Sequence, residues 1–292
     1  VRSPRRCVDV SQRVISYPRS RPTERMRDRG ERIEAVSPRR RGTVDYMRVA
    51  GRRSNVHGLV EFDVTEPRAR LRAIEAETGN RLSFTAFVVC CLARAIEDHP
   101  RMNAYRDWRG SVHVFEEIDV NVLVETTVDG ERLGVPHVLR DAGERSVRSL
   151  HEEIRSAQQS PDPTALSPTA KAALRLPGPI RRLVWRLPQA FPRRWKDVAG
   201  TVAVTSVGMF GRGGGWAISP TNYTVQVTVG GISEKPRLVD GDLSTREFLH
   251  LTVTFDHDVV DGAPATRFVR RFGELVEAAH GLAEPDVGRG RE

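Results

Sequence analysis

One stretch near the C-terminal end constrains the chain most: Leu251-Thr252-Val253-Thr254-Phe255-Asp256-His257-Asp258-Val259-Val260-Asp261-Gly262. Leu251, Val253 and Phe255 alternate with Thr252 and Thr254, the period of a half-buried strand. The strand runs into a polar turn that holds His257, with Asp261 four residues on and Gly262 after it. A histidine at the end of a core strand is held in place, and its ring changes charge near neutral pH, as a general base must. Gly262 permits a sharp turn ahead of Pro264, which suits the first turn of a helix. A lone histidine at a strand end is more often a hydrogen-bonded structural residue, so further residues have to bear on its role.

The charge is unevenly spread. The chain has 292 residues and a formal charge of +8. Residues 1–53 hold 16 Arg against 6 acids, and residues 160–200 hold 8 basic residues against 2 acids. Outside these two stretches the chain is mildly acidic, so the high pI of about 10.1 is no argument for nucleic-acid binding. Three Cys give no disulfide framework, and Cys90 and Cys91 fit the packing side of an apolar helix better than a nucleophile. A reducing, cytoplasmic location is expected. No metal-ligand spacing and no apolar run of membrane-spanning length is present in the sequence.

Residues 1–42, rich in Arg, Pro and Ser, are predicted to be a disordered leader. The first residue is Val1, and Met26 and Met47 are alternative starts if the start site is mis-assigned. From Thr43 onward the pattern predicts one α/β domain over 43–282, with a flexible tail at 283–292. A strand is expected over Val56 to Val64, then a helix with Thr65 as N-cap, Pro67 in its first turn and Gly79 as its stop. A second helix starts at Ser83, buries Phe84, Phe87, Val88, Cys91, Leu92, Ala95 and Ile96, and ends at His99-Pro100. Strands follow at Val112–Val114, Val120–Val124 and Leu133–Leu139. Pro136 puts the last of these at a sheet edge or bulge, and His137 there is read as structural. A helix over Ser146 to Gln158 comes next. Prolines interrupt residues 160–200, where Ile180 to Leu187 is basic and amphipathic. This is an insertion packed on the surface or, in the sharper reading, a membrane-surface patch over 180–196 or a contact for an anionic ligand. The last elements expected are a strand over Thr201–Val207, a strand over Tyr223–Val229 turned by Gly230-Gly231, an Asp240-Gly241 turn, the His257 strand, and a helix over Ala265–Ala279.

The stretch from Phe255 to Ala263 resembles the His-x-x-x-Asp-Gly signature of the chloramphenicol acetyltransferase-like superfamily. Within that superfamily the chain is most similar to the catalytic domain of the 2-oxo acid dehydrogenase complex acyltransferases. Thr205-Ser206-Val207-Gly208-Met209-Phe210-Gly211 is similar to that family's Ser-x-Leu-Gly-Met-Phe-Gly motif. Asp119-Val120-Asn121-Val122, Gly134 to Ala142 and Met102-Asn103-Ala104 add to the resemblance, which covers about 43–282. It implies an α/β fold of the α+β two-layer kind, a mixed sheet with flanking helices. It implies a CoA-dependent acyltransferase that moves an acyl group between thiols, coenzyme A and a dihydrolipoyl group or another acceptor.

In that chemistry His257 takes the thiol proton and a hydroxyl stabilises the oxyanion. The family's serine falls on Thr205, with Ser206 as the backup. Asp261 matches the residue that organises the histidine region through an arginine, for which Arg48, Arg52 and Arg53 are the choices. Gly208 and Gly262 shape the two motifs. The resemblance also implies a homotrimer with His and hydroxyl contributed by neighbouring chains. Three departures stand out: Asp258 replaces the Arg that usually follows the histidine, the proline-interrupted basic segment replaces the usual short connection before the Thr201 strand, and lipoyl and subunit-binding segments are not expected upstream. A stand-alone domain is expected, with no covalent lipoyl on this chain, no metal, and a lipoyl group arriving on another protein. The alternatives are a catalytically silent scaffold or partner-binding subunit of the same fold, or a small-molecule O- or N-acetyltransferase.

Overall fold

The computed structural model describes residues 36–128, 131–159, 176–184, 186, 190–206 and 213–282. The chain divides into Val1–Ser37 and Pro38–Glu292, and every element below belongs to the second unit. In order these are α1 (Pro38–Ala50), β1 (Asn55–Asp63), α2 (Thr65–Thr78), α3 (Phe84–Glu97), β2 (Ala104–Arg106), β3 (Val112–Val114), β4 (Val120–Val128), β5 (Glu131–Leu139), α4 (Val147–Gln159), α5 (Gly178–Val184), α6 (Pro192–Ala199), β6 (Val202–Ser206), β7 (Val225–Val239), β8 (Asp242–Asp256) and α7 (Gly262–Glu277). Six strands form one sheet in the order β1-β8-β7-β6-β4-β5, and β2 and β3 form a separate hairpin. The sheet is mixed: β6 runs parallel to β4 and to β7, and the other pairs are antiparallel.

Strand alternation creates two unlike faces. Val202 and Val204 of β6, Val225, Val227 and Val229 of β7, and Leu251, Val253 and Phe255 of β8 point into the main core. Phe87, Leu92 and Ile96 of α3 and Phe268 and Phe272 of α7 fill the other side of that core. These helices form the second layer, so the two-layer architecture expected from the resemblance is present. The alternate residues, Ala203, Gln226, Thr228, Thr252 and Thr254, are also buried but polar or small. Both faces of the central strands are therefore covered, which period-2 patterning alone does not distinguish from one wet face.

Helix α3 is buried on every side, from Ala86 to Ala93 and again at Ala95 and Ile96, because α4 and α7 flank it and its side chains enter the main core. An apolar helix without a polar stripe is what that position requires. The Ser83 hydroxyl caps it by accepting the Ala86 N–H. Helix α2 stops at Gly79 in the left-handed region, as expected. Its cap differs from expectation: Val64 occupies the N-cap position, and the Thr65 hydroxyl instead accepts the Glu247 N–H of β8. Strand β5 lies at the sheet edge, where Pro136 costs no ladder hydrogen bond, and His137 meets Glu153 of α4 at 2.8 Å.

Several features differ from the sequence expectations. Helix α1 starts at Pro38, inside the stretch 1–42 expected to be a disordered leader, and α1, α6 and strand β2 have no clear apolar period in the sequence. Gly230-Gly231 is not a turn: β7 continues to Val239, with a register shift between Val229 and Ile232. The true hairpin turn is Asp240-Gly241, where both residues have positive φ, 52° and 94°, the geometry that matches strand twist in a two-residue loop. The basic segment joins the domain through α5, where Arg181 Nε meets Asp45 Oδ2 of α1 at 2.7 Å, both side chains largely buried. Its exposed Ile180 and Leu183 leave the surface-patch reading a matter of sequence pattern.

Candidate active site

The turn after β8 is held by its backbone and by three arginines. The His257 N–H donates to Ser54 O at 2.8 Å. The Val259 and Val260 N–H groups both donate to Asp256 O, and the Asp258 N–H donates to Asp256 Oδ1 at 3.3 Å. Arg53 Nη1 meets Asp256 Oδ2 at 2.5 Å, with side-chain exposures of 8% and 4%. Arg101 Nε donates to Val259 O at 3.1 Å, and Arg106 Nη1 lies 3.5 Å from Asp258 Oδ2. These arginines come from the loop after α1, the turn after α3, and β2, so three separate parts of the fold fix one turn. Within it His257 is exposed, and its ring is free to meet a substrate.

Burial pushes the Asp256 carboxyl above its ordinary range, and the Arg53 guanidinium draws it back. Of the three arginines considered for Asp261, Arg53 serves Asp256 instead. Asp261 is exposed, stands at the N-cap of α7 without a side-chain cap bond, and forms no ion pair among the described residues. The arginine partnership that the resemblance implied for Asp261 is therefore found five residues earlier in the chain. Sequence reasoning missed Asp256 because a buried and an exposed acid look alike in one sequence. Gly262 opens α7 with an ordinary φ and open space around it, so the turn does not call on glycine's conformational freedom.

The candidate hydroxyls lie at the far end of β6. Thr205 and Ser206 are half-buried, and Gly208 lies outside the described residues. Thr205 pairs with Thr228, and Thr228 with Thr252, so three threonines form one row on the polar face. The Thr252 hydroxyl is fully buried and has no hydrogen-bond partner among the described residues. Beside this row Gln226 Nε2 donates to Ser219 Oγ at 2.9 Å and reaches Thr228 Oγ1 at 3.4 Å.

The sheet register separates these hydroxyls from the histidine. Four strand residues at about 3.3 Å each and two strand spacings of about 4.8 Å put Thr205 roughly 16 Å from Asp256. Proton transfer and oxyanion stabilisation on one reacting group need partners within about 3 Å of it. Within one chain the two halves of the expected pair stay apart.

A mixed sheet backed by helices on one face is the fold of the dihydrolipoamide acetyltransferase cores. A probable dihydrolipoamide acetyltransferase from Listeria monocytogenes superposes with a TM-score of 0.66 at 20% identity, covering 86% of this chain and 96% of that one. The dihydrolipoamide acetyltransferase of Azotobacter vinelandii, studied for the role of a serine, a histidine and an asparagine in its catalytic mechanism, superposes with a TM-score of 0.65 at 19% identity, covering 86% and 93%. In sequence, the lipoamide acyltransferase component of the branched-chain alpha-keto acid dehydrogenase complex of Bacillus subtilis is 24% identical over 225 residues, 75% of this chain and 46% of that protein. The family model of the 2-oxoacid dehydrogenases acyltransferase catalytic domain matches residues 28–170 and 195–283. The chain belongs to that family. It spans about half the length of the curated relatives it matches, and the unmatched residues 171–194 contain α5.

Proposed function

We propose that the chain transfers acyl groups between thiols, with coenzyme A as one and a dihydrolipoyl group on a partner protein as the other. The observation that carries this reading is the rigid, arginine-held turn that presents an exposed His257. The family membership supports it, and so does spacing. In the Azotobacter vinelandii protein the three residues named for catalysis are separated by fifty-two and four positions. Thr205, His257 and Asp261 are separated by the same intervals.

The residues have these roles in the reading. A free thiol has a pKa of about 8.5, so most of it is protonated at neutral pH. His257 takes the proton from the attacking thiol as its sulfur bonds to the thioester carbonyl carbon. The carbonyl oxygen becomes an oxyanion, to which the Thr205 hydroxyl donates, with Ser206 next in line. Such a donor is worth about 3–4 kcal/mol. The intermediate collapses by breaking the original C–S bond, and the departing thiolate recovers the proton from the imidazolium. The reaction is reversible because both ends are thiols. Asp256 and Arg53 hold the turn, and Asp261 at the start of α7 borders it.

His257 and Thr205 lie too far apart in one chain, which supports a site closed between subunits of a homotrimer. Complementation tests this together with the activity. Acetyl transfer from acetyl-CoA to dihydrolipoamide is expected to fall by at least a hundredfold in His257→Ala and in Thr205→Ala. Unfolding the two variants together and refolding them is expected to restore a fraction of the rate, because hybrid trimers contain sites with both wild-type groups. A His257→Ala rate equal to wild type overturns the base assignment, and no recovery in hybrids overturns the shared site. Absence of turnover with thiols, alcohols and amines alike leaves a scaffold subunit, and turnover of a small alcohol or amine alone leaves an O- or N-acetyltransferase.

A further inference from the structure

His250, away from the His257 turn, is only 3% exposed and faces the polar side of the sheet. Its Nδ1 accepts the Gly215 N–H at 2.6 Å. Because Nδ1 accepts, the ring proton sits on Nε2, which lies 3.1 Å from Glu61 Oε1 and 3.4 Å from Ser233 Oγ. The Trp216 indole stacks on the imidazole at 4.3 Å between centroids and 25° between planes, and its Nε1–H donates to Val60 O at 3.1 Å. A Cβ on Gly214 would stand 1.6 Å from His250 Cε1, so only glycine lets the backbone lie on the ring. Opposite, Gly230 and Gly231 in the β7 bulge meet Gly215 O and Gly213 O, where added Cβ atoms would fall at 2.1 and 2.3 Å. The bulge and the glycines thus serve one purpose: they seat residues 213–216 on the sheet, with His250 as the polar anchor.

This segment is joined to the candidate hydroxyls at both ends. Ser206 pairs with Val229 of β7, and the chain is back against the same strand at Gly213, beside Gly231. Onward, Ser219 is bonded to Gln226, which adjoins Thr228, the cross-strand partner of Thr205.

We infer that His250 is a positioning residue: its unprotonated Nδ1 holds the Gly213–Trp216 segment in the pose that acyl transfer at Thr205 requires, and a proton on that nitrogen releases it. This rests on the proposed transferase reading for its catalytic consequence alone; the anchoring itself does not. A protonated Nδ1 becomes a donor facing the Gly215 N–H, so the bond is replaced by repulsion of two donors. The described groups facing His250 are few. Glu61 of β1 favours the charged ring, Lys235 of β7 opposes it, Ser233 is neutral, and Arg237 of β7 acts on Glu61. The covering segment contributes Gly214, Gly215 and Trp216, none of which titrates near neutral pH. Burial is the largest influence and lowers the His250 pKa below its ordinary value. Release therefore requires a pH below the ordinary histidine range, and the segment is held at neutral pH.

The test uses the full chain and two readouts. Intrinsic fluorescence of wild type is expected to drop as pH falls from 8 to 5, because an imidazolium stacked on an indole quenches it. Trp216→Phe and His250→Asn are expected to lose that step; asparagine Oδ1 stands where Nδ1 does and does not titrate here. In acetyl transfer, His250→Asn is expected to keep kcat within about threefold of wild type at pH 8. It is also expected to fall with a log–log slope of one on the acid side, where wild type falls with a slope approaching two. His250→Phe keeps the stacking without the acceptor and is expected to lose at least tenfold in kcat at every pH, with KM little changed. A wild-type fluorescence that is flat from pH 8 to 5 overturns the anchoring whether or not the protein turns over. A fluorescence step with identical acid slopes in wild type and His250→Asn overturns the positioning role. Loss of all activity in wild type with the fluorescence step intact overturns the proposed function and the positioning role but leaves the anchor.

Discussion

At Asp256 burial and an arginine act against each other, and the contact between them fixes the turn that bears the histidine. Removing one partner of a buried pair strands the other, at a cost of about 3–5 kcal/mol. Arg53→Ala is expected to lower the unfolding free energy by that amount in urea titration and to reduce kcat/KM with it, since the His257 turn loses its clamp. The pair of Arg106 with Asp258 is different in kind. Both side chains are nearly half exposed, and pairs of this sort contribute less than about 1 kcal/mol. Asp258→Ala is expected to leave the denaturation midpoint almost unchanged, so any change in acceptor preference in that variant reports on the site itself. Thr205 has a branched, stiff side chain. Thr205→Ser is expected to retain activity within a few-fold, whereas Thr205→Val is expected to lose about 10²–10³ in kcat.

Between elements, α7 meets β1 without a spacer. Phe62 and Phe272 pack edge to face at 5.6 Å, and a Cβ at Gly273 would stand 2.7 Å from the Phe62 ring. Helix propensity alone favours Gly273→Ala by about 1 kcal/mol. Overpacking in a filled core costs about 1–3 kcal/mol, and the second effect is expected to win, as a fall in denaturation midpoint. Helix α4 is tied to β5 by Glu153, which meets His137 and Arg145. Burial alone would raise its carboxyl, but hydrogen bonds from Arg145 and His137 hold it below its ordinary range. A depressed acid stabilises the fold above its unfolded value, near pH 4.3, and loses that contribution as pH falls through the lower folded value. The melting temperature is expected to drop below about pH 4, and less steeply in Glu153→Gln.

At the scale of the whole molecule, register makes the argument for assembly. Thr205 on β6 and the His257 turn after β8 lie at opposite ends of strands separated by β7, so the proposed acyl-transfer site calls for a second copy of the chain. Light scattering at micromolar concentration is expected to give about three times 32.7 kDa, and dilution below the assembly range is expected to abolish transfer while leaving each subunit folded. A fully active monomer would sink the shared site.

Periodicity carried most of the elements. Leu251, Val253 and Phe255 marked β8, Ser83 marked the start of α3, and Asp240-Gly241 marked the hairpin, because strand alternation, capping and turn chemistry act over a few residues. The motif around His257 and the one around Thr205 were equally local, and so could be read as two halves of one resemblance. Tertiary structure decided what depends on distant neighbours. It made Gly230-Gly231 a bulge rather than a turn, since the glycines answer to Gly213 and Gly215 across the sheet. It chose Asp256 over Asp261 for Arg53, since only Asp256 is drawn into the fold beside Ser54. It turned His250, unremarked in the sequence, into an anchor, since its value lies in a backbone N–H thirty-five residues away. Short-range geometry is written in neighbouring side chains, whereas burial and register are set by which strands the whole chain brings side by side.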